Sequence, residues 1–206
     1  MDTQDRPQLY LVTPPAFELE AFGNRLAAVL DSHEVACLRL ALATSDEDTL
    51  SRAGDHLREI AHARDIPLVI NNHLQLVERL GLDGVHLTDG ARNVRATRKA
   101  LGADPIVGTF CGSSRHDGMN AGEAGADYVS FGPVGDSVLG DGSKAEAEVF
   151  IWWSEMIELP VVAEGALTTQ LVESLAPSTD FFAIGEEIWR EDDAAQALSA
   201  LLPPLG

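Results

Sequence analysis

The chain has 206 residues, with 33 Asp and Glu against 14 Lys and Arg and a formal net charge of -19. That length suffices for one domain with a sizeable core, and so acidic a chain argues against nucleic acid or an anionic membrane surface as partner. A small anionic ligand stays open, because a local site can be positive inside an acidic protein.

Residues 1–8 are polar and acidic, which predicts a flexible N-terminal tail and no signal peptide. An apolar run Leu9 to Thr13 follows, stopped by Pro14 and Pro15, then a helical pattern from Phe17 to Leu30. Val35 to Leu42 predicts a second strand, and Thr44, Ser45 and Asp46 signal a helix start. Leu50, Leu57, Ile60 and Ala61 give the apolar face of that helix. Pro67 to Asn71 and Gly84 to Leu87 read as strands three and four, each followed by a helix, the second closed by Gly102. Pro105 to Cys111 is strand five. Ser113 to Ala124 is a weaker helix, since Gly118 and Gly122 lower its propensity. Tyr128 to Phe131 is strand six, closed by Gly132 and Pro133. A helix over 147–158, strand seven over 160–163, a helix over 168–175, strand eight over 181–184 and a helix over 194–202 complete the chain.

Strict alternation of short apolar strands with helices means parallel pairing and right-handed crossovers. Eight such units predict a single (β/α)8 barrel over residues 1–206, and nothing in composition marks a linker. The competing open sheet would carry GxGxxG after its first strand, and that motif is missing. Three stretches echo one another: Leu80 to Leu87, Gly125 to Val134 and Ala176 to Ile184. Each runs from a helix end through Asp83, Asp127 or Asp180 into a strand, as a repeated unit would. No apolar run is long enough to span a bilayer. Cys37 and Cys111 fall in or at the end of apolar runs, so buried, reduced thiols and a cytoplasmic location are expected.

In such a barrel the ligand site lies at the C-terminal ends of the strands. This points to Thr13, Arg39, Asn71, Asn72, Asp89, Glu164 and Gly185. The loop from Gly135 to Lys144, with its glycines, hydroxyls and lysine, suits a phosphate ester; an ordinary solvated loop is the alternative.

At this point the chain resembles thiamine phosphate synthase and its relative, the thiazole tautomerase. The likeness rests on Leu9 to Thr13, Ile70 to Asn72, Gly84 to Leu87, Gly125 to Val129 with Gly132 and Pro133, Lys144, and Pro160 to Ala163. It covers almost the whole chain and implies a small (β/α)8 barrel. It also implies a transferase that joins a hydroxymethylpyrimidine pyrophosphate to a thiazole phosphate with Mg²⁺ and releases pyrophosphate. The family's phosphate loop after strand six keeps Ser143 and Lys144 here. Its Gly-Gly after strand seven reads Gly165 and Ala166 following Glu164, and the backbone at Ile184 and Gly185 could still donate N–H groups.

The pyrophosphate half departs from the family. Its Gln-x-Arg-x-Lys reads Cys37, Arg39 and Ala41, its Asn-Asp reads Asn71 and Asn72, and its Gly-Gln-x-Asp reads Thr88, Asp89, Gly90 and Ala91. The tautomerase histidine is replaced by Pro133. The resemblance therefore leads to a Ser143, Lys144, Gly165, Ala166, Ile184, Gly185 phosphate site. Arg39, Asn71 and Asn72 join it, no metal site is retained, and Mg²⁺-assisted coupling is expected to be absent or very slow.

Among single residues, Glu164 is either an acid–base carboxylate or an ion-pair partner. Asp89 is either a shifted carboxylate of the site or a helix N-cap. His86 reads as a hydrogen-bonded structural histidine, and Glu186, Glu187, Glu191, Asp192 and Asp193 read as a solvated acidic face. Three functions stay open: a synthase-like barrel binding a small phosphorylated heterocycle, a metal-free isomerase using Glu164, and a non-catalytic binding or regulatory protein. Association with further copies of the chain is also open.

Overall fold

The computed structural model describes residues 6–136 and 143–202. Eight parallel strands close into a barrel in the order β1 to β8. They are β1 (Gln8–Val12), β2 (Val35–Leu40), β3 (Leu68–Asn71), β4 (Gly84–Leu87), β5 (Ile106–Phe110), β6 (Tyr128–Phe131), β7 (Val161–Glu164) and β8 (Phe181–Ile184). Between and after them lie α1 (Leu19–Ser32), α2 (Glu47–His62), α3 (Leu74–Leu80), α4 (Val94–Leu101), α5 (Arg115–Ala124), α6 (Ala147–Met156), α7 (Thr169–Leu175), α8 (Glu186–Trp189) and α9 (Ala194–Leu201). The expected (β/α)8 architecture is therefore present. β1 begins at Gln8, inside the segment expected to be a tail. The four-residue α8 falls within the acidic run, where no periodicity marks it.

Each strand is buried on both faces, so its sequence reads as an apolar run rather than an alternation. Side chains of one parity, among them Leu11, Leu38, Leu40, Ile70, Val107 and Phe131, pack outward with the helices. Those of the other parity, Tyr10, Cys37, Val69, Tyr128, Val162 and Ala183, form a separate cluster inside the barrel.

The three aspartates of the repeated unit do one job. The Asp83 carboxylate accepts the Leu68 N–H at 2.7 Å, Asp127 accepts Val107 N–H at 2.7 Å, and Asp180 accepts Val161 N–H at 2.8 Å. Each aspartate also donates its own N–H to the same neighbour's carbonyl. These bonds satisfy backbone groups at or next to the start of β3, β5 and β7, at the barrel floor. The echo in sequence thus marks a pair of strands locked at its start, repeated three times.

Helix starts follow local chemistry. The Asp46 side chain accepts the Thr49 N–H at 2.9 Å at the head of α2, where the cap was expected. Ser114 does the same for Asp117, which helps α5 form despite its glycines. At the head of α4 the capping position belongs to Asn93, so the N-cap reading of Asp89 is corrected.

Gly108 of β5 has its missing side chain replaced by a neighbour. A Cβ there would lie 2.0 Å from Cζ of the Tyr128 ring. Gly108→Ala should therefore push Tyr128 out of position and lower stability by about 1–3 kcal/mol, the usual cost of overpacking. A urea unfolding midpoint equal to that of the parent protein would contradict this packing.

Candidate functional site

Arg39 of β2 points into the barrel and is buried. Its Nη1 lies 3.0 Å from Oε2 of Glu164, which comes from β7 on the far side of the ring of strands. The same Nη1 lies 2.7 Å from Nε2 of His86 on β4. His86 Nδ1 is 2.8 Å from the Tyr128 hydroxyl, and that hydroxyl is 2.6 Å from the Tyr10 hydroxyl. The Arg39 guanidinium also sits 5.6 Å from the centroid of the Tyr10 ring.

A guanidinium has donors only. Nε2 of His86 must then accept, so Nδ1 carries the imidazole proton and donates to Tyr128. The Tyr128 hydroxyl thus accepts from His86 and shares a 2.6 Å hydrogen bond with Tyr10 in which either hydroxyl can donate. One arginine thereby sets the tautomer of His86 and the direction of its bond to Tyr128.

The electrostatics agree. Burial, reinforced by the Arg39 charge, holds the His86 imidazole well below its ordinary pKa, so it is neutral. Burial lifts the Tyr10 and Tyr128 phenols above theirs and pushes the Cys37 thiol up to about 12. Burial is the largest influence on Arg39 and opposes its charge, but Glu164, Tyr10 and Tyr128 together offset it and hold the guanidinium above its usual value. The network carries one positive and one negative charge, and its other members are neutral.

Three buried polar atoms around the mouth have no hydrogen-bond partner: Arg39 Nε, Asn71 Oδ1 and Ser130 Oγ. They belong to β2, β3 and β6. A donor, an acceptor and a hydroxyl left unmatched in one barrel mouth suit a polar heterocycle better than an apolar ligand.

Among the cavities around the mouth are two that hold Lys144 and Asp89. One of about 490 Å³ is lined by Lys144, Ala166, Leu167, Thr168, Glu187 and Arg190, among others. Lys144 is ion-paired with Asp136 at its edge. Gly165 and Ala166 take positive φ values of 90° and 54°, and the Gly165 carbonyl accepts the N–H groups of Val134 and Gly135. A Cβ on Gly135 would lie 1.9 Å from the Ala166 carbonyl oxygen, so only glycine lets the β6 and β7 loops meet there. The second cavity, of about 450 Å³, is lined by Asn72, Thr88, Asp89 and Asn93 among others. The Asn72 amide is bonded to Thr88, and the exposed Asp89 carboxylate accepts from Asn93 Nδ2 at 2.5 Å.

The fold thus collects Lys144 and Ala166 at one cavity, Asn72 and Asp89 at another, and Arg39, Asn71 and Glu164 at the mouth between. Ser143 is exposed beside Lys144, and Gly165 adjoins Ala166. Ile184 is different: its side chain is fully buried and turned outward into the helical layer. The Gly185 N–H, expected to be open to a ligand, donates to Glu187. Residues 137–142 of the glycine-rich loop lie outside the described residues. His86, Tyr128 and Tyr10 are structural partners of Arg39 that sequence reasoning did not connect to it; a charged residue inside an apolar strand was the only signal that partners had to exist. Ser130 and Arg190 were missed, having no motif to mark them.

Among the described residues no group of three or more His, Cys, Asp or Glu could hold a metal ion. Mg²⁺ does not need such a cage, since it is commonly held through one or two carboxylates and substrate phosphates. The Asp89 carboxylate with the Asn72 amide on the adjoining loop fits a Mg²⁺ that shares its ligands with a pyrophosphate.

A (β/α)8 barrel with a charged, hydrogen-bonded mouth and cavities at the C-terminal ends of its strands has the form of a small-molecule enzyme. The family described as thiamine monophosphate synthase matches residues 9–188. A thiamine-phosphate synthase of Rhodospirillum centenum is 41% identical over 186 residues, covering 88% of this chain and 89% of that one. One from Erythrobacter litoralis is 34% identical over 200 residues, covering 94% and 93%. The chain belongs to the thiamine monophosphate synthase family. The structure described as thiamine phosphate pyrophosphorylase from Pyrococcus furiosus has the same fold, with a TM-score of 0.79 at 18% identity over 94% of this chain and 93% of that one. No described helix is long and apolar enough to cross a membrane.

The ion pair gives a test. The Arg39 side chain is 9% exposed and that of Glu164 16%, so neither charge can reach bulk water freely. Glu164→Ala should strand the Arg39 charge and lower stability by about 3–5 kcal/mol. A Glu164→Ala, Arg39→Leu double variant should recover part of that loss. Simple additivity of the two single effects in denaturant titrations would contradict the coupling.

Proposed function

We propose that the protein is an active thiamine phosphate synthase, joining a hydroxymethylpyrimidine pyrophosphate to a thiazole phosphate and releasing pyrophosphate. The observation that carries this reading is the near full-length likeness to relatives bearing that name, at 41% identity in the first case. It favours the coupling reaction over the expectation that the altered pyrophosphate half had abolished it. Glu164 is engaged as the counter-charge of Arg39, which speaks against its use as a free acid or base in an isomerase.

In this reading the thiazole phosphate is held in the cavity lined by Lys144 and Arg190, whose two cations suit a dianion in an otherwise acidic protein. The heterocycles lie over the mouth, where Arg39 Nε, Asn71 Oδ1 and Ser130 Oγ gain partners. Asp89 and Asn72 would hold a Mg²⁺ together with the pyrophosphate, and such a metal would supply charge neutralisation at the leaving group. The bond from the pyrimidine methylene carbon to pyrophosphate oxygen breaks, and a bond from that carbon to the thiazole nitrogen forms. Arg39, held rigid by Glu164 and His86, presents fixed positive charge to the departing group without reorganising. His86, neutral and already hydrogen-bonded at both nitrogens, orients Arg39 and moves no proton.

Incubation with both substrates and Mg²⁺ should yield thiamine phosphate and pyrophosphate in equal amounts, at turnover of about 1 per second or faster. Lys144→Ala should raise the KM for thiazole phosphate by roughly tenfold or more, the loss of a charge-assisted hydrogen bond. Asp89→Asn should slow turnover by about a hundredfold. No product from the parent protein would reject the reading.

A further inference from the structure

The acidic run after β8 is not a uniform solvated face. Glu186, Glu191, Asp192 and Asp193 are exposed, but Glu187 is half-buried and turned inward. Both of its carboxylate oxygens are engaged. Oε1 accepts the Leu167 N–H at 3.1 Å and Oε2 accepts the Gly185 N–H at 2.9 Å. These donors come from the loops that follow β7 and β8. Leu167 and Glu187 line the same cavity as Lys144 and Arg190. A carboxylate bridging two backbone N–H groups beside two cations is the bonding pattern of an anion site already filled from within the chain.

We propose that Glu187 is a specificity-determining residue: its carboxylate holds the loop donors as an internal anion, and the phosphate group of a ligand has to displace it. The proposal rests on reading this cavity as the phosphate site. A free phosphate ion gains only Lys144 and Arg190 beyond the two N–H groups that Glu187 already holds, and in approaching it meets a like charge. A phosphate ester adds the contacts of its organic part over the barrel mouth, and these offset the displacement. Glu187 thereby closes the site to inorganic phosphate and leaves it open to phosphate esters. The alternative, a carboxylate that only ties the two loops together, predicts altered stability and unaltered anion affinity.

The test compares the parent protein with Glu187→Ala and Glu187→Gln; the second keeps an oxygen acceptor and the side chain's size while removing the charge. Inorganic phosphate is titrated calorimetrically against each, in buffer free of other anions. Both variants should bind phosphate at least about tenfold more tightly than the parent. Their melting temperatures should be lower without phosphate and recover as it is added. Phosphate affinity unchanged or weakened in folded Glu187→Gln and Glu187→Ala would overturn the proposal. Lys144→Ala, titrated with thiazole phosphate, separates the two levels of the argument. If it weakens the ester while the Glu187 variants gain nothing toward phosphate, only the role of Glu187 fails. If it leaves the ester's affinity untouched, the reading of the cavity as a phosphate site fails, and the proposal with it.

Discussion

The hydrogen-bonded network in the interior of this barrel is built around one positive charge that cannot be given up. A guanidinium stays protonated at any physiological pH and offers only donors. With Arg39 buried inside the ring of strands, each neighbour must be an acceptor toward it or a counter-charge. Glu164 supplies the charge from β7, and His86 supplies an acceptor from β4. The choice of imidazole tautomer then fixes the direction of the bond to Tyr128, which is bonded in turn to Tyr10. A layer that is filled with branched aliphatics in many barrels is here a chain of hydrogen bonds running through five strands. Such a buried pair adds little net stability over an apolar core. What it provides is a cation with one orientation inside the barrel mouth.

The same constraint reconciles the charge of the chain with the ligands of its family. A net charge of -19 is unsuited to attracting pyrophosphate or a phosphate ester from a distance. The cations that matter are local: Arg39 at the mouth, and Lys144 and Arg190 at the flanking cavity. Each has an acidic neighbour close by, in Glu164, Asp136 and Glu191 respectively. An anionic ligand therefore meets cations whose charge is already partly matched, and its binding has to rest on close contact.

The barrel was legible because parallel strands buried on both faces leave short apolar runs between helical patterns, and because Asp83, Asp127 and Asp180 mark the same joint each time. Arg39 and Glu164 could each be picked out, as charged residues in or at the end of apolar strands. Their pairing could not: 125 residues separate them, and only closure of the barrel brings them together. His86, Tyr10 and Tyr128 sit in strands where an inward polar residue reads like a core residue of similar size. Glu187 was hidden in a run of like residues, since composition cannot tell which carboxylate of an acidic stretch turns inward. Of the two readings of Asp89, the cap alternative rested on a carboxylate shortly before a helix usually being one; the capping position is four residues further on, at Asn93.

The claim that the interior network is built around Arg39 is tested most directly at His86. Its ring nitrogens can be followed by nitrogen–proton correlation spectroscopy of the imidazoles from about pH 8 down to about pH 5, across the range in which an ordinary histidine titrates. The account requires His86 to carry its proton on Nδ1 alone throughout, neutral and unchanged while exposed histidines titrate. A proton on Nε2, or protonation near the ordinary histidine value, would mean that Arg39 does not donate to this ring and that the direction assigned to its bond with Tyr128 is wrong.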